Sequence, residues 1–321
     1  MKEIDNLLGF RESIKVVDAT LRDGGLVNDF YFTDDFVKAL YKTNVDAGVD
    51  YMEMGYRASK KVFDESKFGK WKFSSDEHIR EIVGDNNTNL KLAIMADIGR
   101  HDKNDFDEKV NSPVDLVRVA TYIHQMPEAI DMIEDAAKKG YHTTCNIMAI
   151  SSAQESDIKA ALRMLSDTPV EVIYIVDSYG SIYPEEMARV VDIYKEYADK
   201  YGKTLGIHAH NNQQLAFANT IEACGDGVDW LDATYMGMGR GAGNCSMENL
   251  LGFLKNPKYN SNPVYKFLSQ YMQKLREDGV VWGYDIQYLI TGLLNQHPRM
   301  AIQFTKDKRT DYDEFYKEIL N

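Results

Sequence analysis

The feature that most constrains the fold of this chain is a repeated alternation of a short apolar strand pattern with a longer helical pattern. Eight such units follow one another between Lys15 and Leu254, although the segment after the third strand is polar and poorly periodic. The expected strands are residues 15–20, 50–55, 91–97, 114–120, 142–148, 171–177, 204–210 and 229–234. Strands that alternate with helices indicate a parallel sheet.

The number of units favours an α/β fold of one particular kind. Eight units match a (β/α)8 TIM barrel, which typically takes ~250 residues. A doubly wound open sheet is the alternative, but no G-x-G-x-x-G sequence follows the first strand. We therefore expect a TIM-barrel domain over residues 1–258. A short C-terminal helical appendage should follow over 259–321, with helices near 264–276, 283–294 and 312–320.

Polar residues stand at or just after the end of nearly every expected strand. The active site of a TIM barrel lies at the C-terminal ends of its strands, whereas the interior is usually filled by branched apolar residues. Half-solvated strand ends also tolerate polar residues, so a single one is weak evidence. The set comprises Arg22, Asp23, Glu53, Asp97, Arg118, Asn146, Asp177, His208, His210, Asp232 and Thr234.

Two histidines in this set suggest a metal site. His208 and His210 alternate along strand 7 and so point to one face of it. An H-x-H pair alone is weak evidence, because such residues can be ordinary polar side chains at a strand end. Asp23, just past strand 1, can reach the same point, since side chains of alternate strands share layers in this fold. Two imidazoles and one carboxylate leave open positions on a catalytic divalent metal.

Three motifs resemble the signatures of the DRE-TIM metallolyases, the superfamily of the HMG-CoA lyase-like enzymes. They are DATLRDGG (18–25), HAHNN (208–212) and DATYMGMGRGAGN (232–244), and the resemblance spans about 16–254. It is strongest to the 4-hydroxy-2-oxovalerate aldolase branch, in the bacterial group of aldolase catalytic domain-containing proteins. The resemblance implies a metal-dependent aldolase or lyase that makes or cleaves a C–C bond next to a 2-oxo acid, through an enolate.

The resemblance also implies roles for individual residues. Asp23, His208 and His210 would bind Mn²⁺ or Mg²⁺, Asn244 would complete or support that site, and Arg22 would stabilise the enolate oxygen. A metal and a guanidinium both lower the energy of an enolate. Further candidates, for substrate binding, are Glu53, Asn146, Asp177 and Arg240. The glycine run around Arg240 suits either close backbone approach or phosphate binding.

One position departs from the family pattern. The aldolase branch has a histidine base four positions after the R-D-G arginine, and Leu26 stands there in this chain. His124, on a loop after strand 4, is the candidate replacement, and water activated by the metal is the alternative. Two other functions stay open: an acyl-CoA-dependent Claisen synthase of the isopropylmalate synthase type, and a barrel that binds metal but has lost its catalytic activity.

The composition and the length of the tail limit the kinds of partner that we expect for this chain. A net charge of −13 and a pI near 5.0 argue against binding to nucleic acid or an anionic membrane. Three cysteines without paired spacing, and no apolar run long enough for a signal or span, indicate a cytoplasmic protein. Related aldolases can associate with a dehydrogenase through a C-terminal helical domain. The tail here is shorter than we expect for that association, so such a partner is doubtful, whereas a homodimer stays open.

Overall fold

Eight parallel strands close into a barrel in which each strand pairs with the next and β8 pairs back with β1. The structure is a computed structural model that describes residues 8–102 and 105–320. The strands β1 to β8 are Lys15–Asp18, Tyr51–Tyr56, Lys91–Asp97, Leu116–Thr121, His142–Ile147, Val172–Asp177, Thr204–Ala209 and Trp230–Ala233. The predicted TIM barrel is thus confirmed, with strand ends that differ from prediction by one or two residues.

Helices surround the barrel. The helices α1 to α8 are Thr20–Asp23, Asp34–Ala47, Asp76–Val83, Met126–Lys138, Glu155–Leu165, Pro184–Tyr201, Ala216–Gly225 and Met247–Leu254. Of these, α1 and α2 follow β1, α3 follows β2, and α4 to α8 follow β4 to β8 in turn. Local sequence explains their ends. The Thr33 hydroxyl accepts from the Phe36 amide at the start of α2, and Gly48 ends that helix in the left-handed conformation. The polar segment after β3 holds only a short 3₁₀ turn, Lys109–Asn111, among its described residues.

The tail contains five further helices, α9 to α13. They are Ser261–Phe267, Gln273–Glu277, Ile286–Leu293, Arg299–Lys306 and Tyr312–Leu320, and a π-helical turn, Leu268–Met272, joins the first two. Helix α12 was not expected from the sequence. Val264, Phe267 and Met272 belong to the main apolar core. The last three helices instead share a small separate core built on Phe304 and Phe315.

The last part of the tail packs on loops at the C-terminal end of the barrel. The Asn212 side chain, after β7, donates to the carbonyl of Tyr288 over 3.2 Å. Ser151, after β5, donates to the Asn295 side chain over 2.8 Å. These contacts place the tail beside the polar strand ends. Within the described ranges no helix is long and apolar enough to cross a membrane.

Candidate metal centre and cavity

Asp23, His208 and His210 converge at the C-terminal end of the barrel. Asp23 ends the single-turn helix α1 directly after β1, His208 lies on β7, and His210 follows that strand. The Asp23 Oδ2 atom lies 3.6 Å from His208 Nε2 and 3.5 Å from His210 Nε2. Ligands about 2.1 Å from one ion stand roughly 3 to 3.5 Å apart. The three predicted ligands therefore have the spacing of a shared ion site, and all three are buried.

Hydrogen bonds fix the direction in which both imidazoles present a lone pair. His208 Nδ1 lies 2.9 Å from Asp232 Oδ2, and His210 Nδ1 lies 3.1 Å from the carbonyl oxygen of Asp177. Both partners can only accept, so each Nδ1 carries the proton and each Nε2 carries a lone pair. Among the described residues neither Nε2 atom has a hydrogen-bond donor. These two buried nitrogens beside a carboxylate fit a divalent metal ion.

The charge of Asp23 also fits a metal ligand. Burial would raise the pKa of Asp23, but the charge of Arg22, which donates a hydrogen bond to this carboxylate over 3.1 Å, outweighs that effect. The pKa therefore lies well below its ordinary value, and the carboxylate is ionised. Only the ionised carboxylate offers both oxygens as ligands.

A chain of buried ion pairs connects Arg22 to the metal site through the barrel interior. Arg22 Nε donates to Glu53 Oε2 over 2.8 Å, and Arg118 donates to the same oxygen over 3.1 Å. The second amino group of Arg118 donates to Asp232 over 2.6 Å, and Asp232 in turn orients His208. Glu53, Arg118 and Asp232 come from even-numbered strands and fill a layer that is usually apolar. The sequence alone shows Arg118 and Asp232 only as polar residues at strand ends, not as partners of one another.

The glycine-rich loop after β8 packs directly on the metal site. Asn244 Nδ2 lies 2.5 Å from Asp23 Oδ2, and Asn244 pairs with His210 through a β-bridge. A Cβ atom at Gly239 would lie 2.2 Å from Asn244 Nδ2 and 2.8 Å from Asp23 Oδ2. The glycine at this position therefore permits the close backbone approach that the sequence suggested. Asn244 offers its amide nitrogen to Asp23, which supports that carboxylate.

A small cavity of about 60 Å³ opens beside these residues. Its polar lining consists of Arg22, Asp23, Tyr56, Asn146, Ser178, His208, His210 and Arg240, and its apolar lining includes Leu26, Met95, Met148 and Val176. Arg240 has no ion-pair partner among the described residues, and its Nη1 atom lies 3.5 Å from His297 of the tail. The structure thus brings the predicted residues Arg22, Asn146 and Arg240 together with the metal site.

Three other predicted residues do not line this cavity. Glu53 lies below it, bonded to two arginines. The Asp177 carboxylate accepts from the amides of Ser181 and Ile182 and so shapes the loop after β6. His124 is exposed on a 3₁₀ turn after β4, where its ring stacks against Tyr122. Their proposed roles in substrate binding and proton transfer stay predictions.

Tyr56 lines the cavity and was missed by sequence analysis. Strict alternation from Glu53 would put Tyr56 on the opposite face of β2. A β-bulge between these two residues shifts the register with β3 and turns the phenol inward. Burial and the charge of Asp97 raise the pKa of Tyr56 despite the nearby Arg22, so the phenol keeps its proton at neutral pH. The only sequence signal was Gly55, since a glycine inside a strand often marks a bulge.

Comparison with known proteins supports the resemblance. The HMGL-like family model matches residues 13–271. An oxaloacetate decarboxylase of Mycobacterium tuberculosis is 30% identical over 248 residues, which cover 76% of this chain and 70% of that protein. A 4-hydroxy-2-oxovalerate aldolase of Bacillus cereus is 25% identical over 311 residues, covering 92% of this chain and 88% of the relative.

Solved structures share the architecture. The N-terminal domain of a Bacteroides vulgatus protein aligns with a TM-score of 0.77 at 26% identity, over 91% of this chain and 96% of that domain. The HMG-CoA lyase of Bacillus subtilis aligns with a TM-score of 0.66 at 14% identity, over 84% of this chain and 95% of the lyase, which shows the fold alone. Together with the family match, these relationships confirm the resemblance seen in the three motifs.

Proposed function

This chain belongs to the HMGL-like family and is a metal-dependent carbon–carbon lyase; from that premise we propose that it acts on a small 2-oxo acid through an enolate. The observation that carries the proposal is the convergence of Asp23, His208 Nε2 and His210 Nε2 beside Arg22. The cavity is small, which suits a 2-oxo acid of few atoms.

The ion would be Mn²⁺ or Mg²⁺, held by Asp23 and the two histidines. When bound, it would act as a Lewis acid on the substrate carbonyl. Asn244 supports the site by donating to Asp23. A carboxylate with open positions for water suits these hard ions, and imidazole suits Mn²⁺ and other transition metals. Metal identity is therefore part of the test.

Arg22 would stabilise the enolate oxygen. It lines the cavity and uses two of its five N–H donors on Glu53 and Asp23. The remaining donors are available to a substrate oxygen. Because Glu53 and Asp23 hold the guanidinium in place, no reorganisation is needed when negative charge develops in the transition state. Asn146 would contact the substrate from β5.

A second candidate reaction is the decarboxylation of a 2-oxo acid that carries a second carboxylate. Arg240 favours it, because this arginine lines the cavity without an ion-pair partner among the described residues. A guanidinium in that state suits a substrate carboxylate. The oxaloacetate decarboxylase among the relatives has the same substrate class in its name.

Turnover with and without metal tests both reactions. The protein should convert oxaloacetate or a 4-hydroxy-2-oxo acid only with Mn²⁺ or Mg²⁺. The double variant His208→Ala with His210→Ala should lose Mn²⁺ binding in titrations followed by electron paramagnetic resonance. His142→Ala, at an exposed histidine that starts β5, is the matched control. Unchanged Mn²⁺ binding by the double variant would place the site elsewhere.

The Arg240→Gln variant separates the two substrate classes. It should raise KM for oxaloacetate by roughly 10- to 100-fold, the cost of losing a charged hydrogen bond. Its KM for a 2-oxo acid with a single carboxylate should change little. Equal effects on both substrates would show that Arg240 does not select a second carboxylate.

A further inference from the structure

Tyr56 is, of the described residues at the cavity, the one side chain that can transfer a proton and has no role in the function proposed above. Among the described residues that line the cavity, the other polar groups are the metal ligands, two arginines, Asn146 and Ser178. Arginine does not deprotonate in proteins, and a serine hydroxyl is a weaker acid than a phenol. We propose that Tyr56 is a catalytic residue that gives its proton to the enolate; this inference rests on the proposed function.

The proton moves from the Tyr56 hydroxyl to a carbon atom of the enolate. The C=C electron pair of the enolate forms a C–H bond with the phenol hydrogen, and the enolate C–O bond becomes the product carbonyl. The phenol O–H bond breaks, and its electron pair stays on oxygen as a phenolate. Water then returns a proton to that oxygen and leaves as hydroxide. The reverse direction runs through the same phenolate, which forms when the phenol loses its proton to hydroxide and then removes a proton from the methyl group of a 2-oxo acid such as pyruvate.

Two cations flank the ring of Tyr56 and favour this transfer. The Lys72 ammonium lies 4.6 Å from the ring centroid, and the Arg22 guanidinium lies 5.9 Å from it. Positive charge at this distance stabilises a phenolate relative to a phenol. Both cations therefore lower the free energy of the state that follows proton donation, and so oppose the effects of burial and of Asp97 on the phenolate.

Lys72 is held beside Tyr56 in an unusual way. Its ammonium is also 4.2 Å from the ring centroid of Phe63, 5.0 Å from Phe30 and 5.8 Å from Phe68. Lys72 is 6% exposed, and no ion pair joins it to a carboxylate of the described residues. Aromatic faces hold a cation without neutralising it. Lys72 is therefore a positioning residue whose charge stays available to Tyr56.

Exchange of the pyruvate methyl protons with D₂O, followed by NMR with Mg²⁺ present, tests the inference. Tyr56→Phe keeps the ring and its packing but removes the hydroxyl. The exchange rate and the kcat for 2-oxo acid cleavage should both fall by ~10²–10⁴. Mn²⁺ affinity and melting temperature should stay as in the wild type. Lys72→Met should slow exchange by up to about tenfold, the range of a desolvated cation–π contact.

Two controls make the result decisive. Tyr265→Phe, at an exposed tyrosine of α9, should leave exchange unchanged. His124→Asn tests the other candidate for proton transfer, because exchange that is lost in this variant and kept in Tyr56→Phe would assign the step to His124. Exchange that persists in Tyr56→Phe, or that is lost in His124→Asn, overturns the inference while the proposed function stands. A wild-type protein without exchange or turnover of any 2-oxo acid overturns the proposed function and the inference together.

Discussion

At the scale of the residue, Arg22 has two roles: it pairs with buried carboxylates, and its remaining donors are available to the substrate. Its guanidinium forms ion pairs with both Asp23 and Glu53, and it also lines the cavity. Removal of the side chain would leave two buried carboxylates short of a partner, which destabilises a protein strongly. Arg22→Ala would therefore confuse a loss of folding with a loss of chemistry.

The Arg22→Lys variant avoids that problem. Lysine keeps the positive charge but lacks the planar fork that can bond Glu53, Asp23 and a substrate oxygen together. We expect kcat to fall by ~10² or more, because the lost contact acts in the transition state. The melting temperature should fall by only a few degrees. A normal kcat with a large loss of thermal stability would make Arg22 a structural residue.

At the scale of the element, the loop after β8 depends on glycine at a position of close approach. The Gly239→Ala variant should push Asn244 and Asp23 apart, since the new Cβ would overlap both side chains. Metal affinity should fall by roughly 10- to 100-fold, the usual cost of disturbing a group that supports a ligand. Isothermal titration with Mn²⁺ measures the change.

Gly252→Ala is the matched control for that loop variant. Gly252 lies in α8, where an added Cβ atom meets no atom within 4 Å. Alanine there should leave metal affinity unchanged and make the helix more stable by about 0.5–1 kcal/mol. A similar loss of affinity in both variants would contradict the role of the Gly239 contact.

The strands show which features of the fold and of the site can be predicted from the sequence and which cannot. Period and turn signals were enough for all eight strands and for the placement of His208 and His210 on one face at the end of β7. Tyr56 could not be found in this way, since a bulge reverses alternation locally. The ion pair between Arg118 and Asp232 joins residues far apart in the chain, and only barrel closure brings them together. Helix α12 was missed because its pattern is short and begins after Pro298.

At the scale of the whole molecule, one buried acid should make stability depend on pH. Burial raises the pKa of Asp18 to about 6, although hydrogen bonds from Thr20 and Asn44 oppose the shift. The unfolded chain has the ordinary, lower pKa, so the folded protein binds the extra proton between about pH 4 and 6. The stability that this proton confers is complete at the acidic end and is lost as the pH rises through 6.

Comparison with Asp18→Asn checks this dependence. Between pH 7 and pH 4 the unfolding free energy of the wild type should gain up to ~3 kcal/mol relative to the variant. Urea unfolding at several pH values measures the difference. A difference between the two proteins that does not vary with pH would mean that Asp18 keeps an ordinary pKa in the folded state.

The buried ion pairs have a consequence for the order in which the site fills. Around the cavity the charges of Arg22, Arg118 and Arg240 are balanced by those of Asp23, Glu53 and Asp232. A divalent ion gives this balanced set an excess of two positive charges, and a substrate with two carboxylates restores neutrality. Before the ion arrives, Asp23 repels an anion at the point where the substrate carbonyl must lie. The ion should therefore bind first and the substrate second, with release in the opposite order.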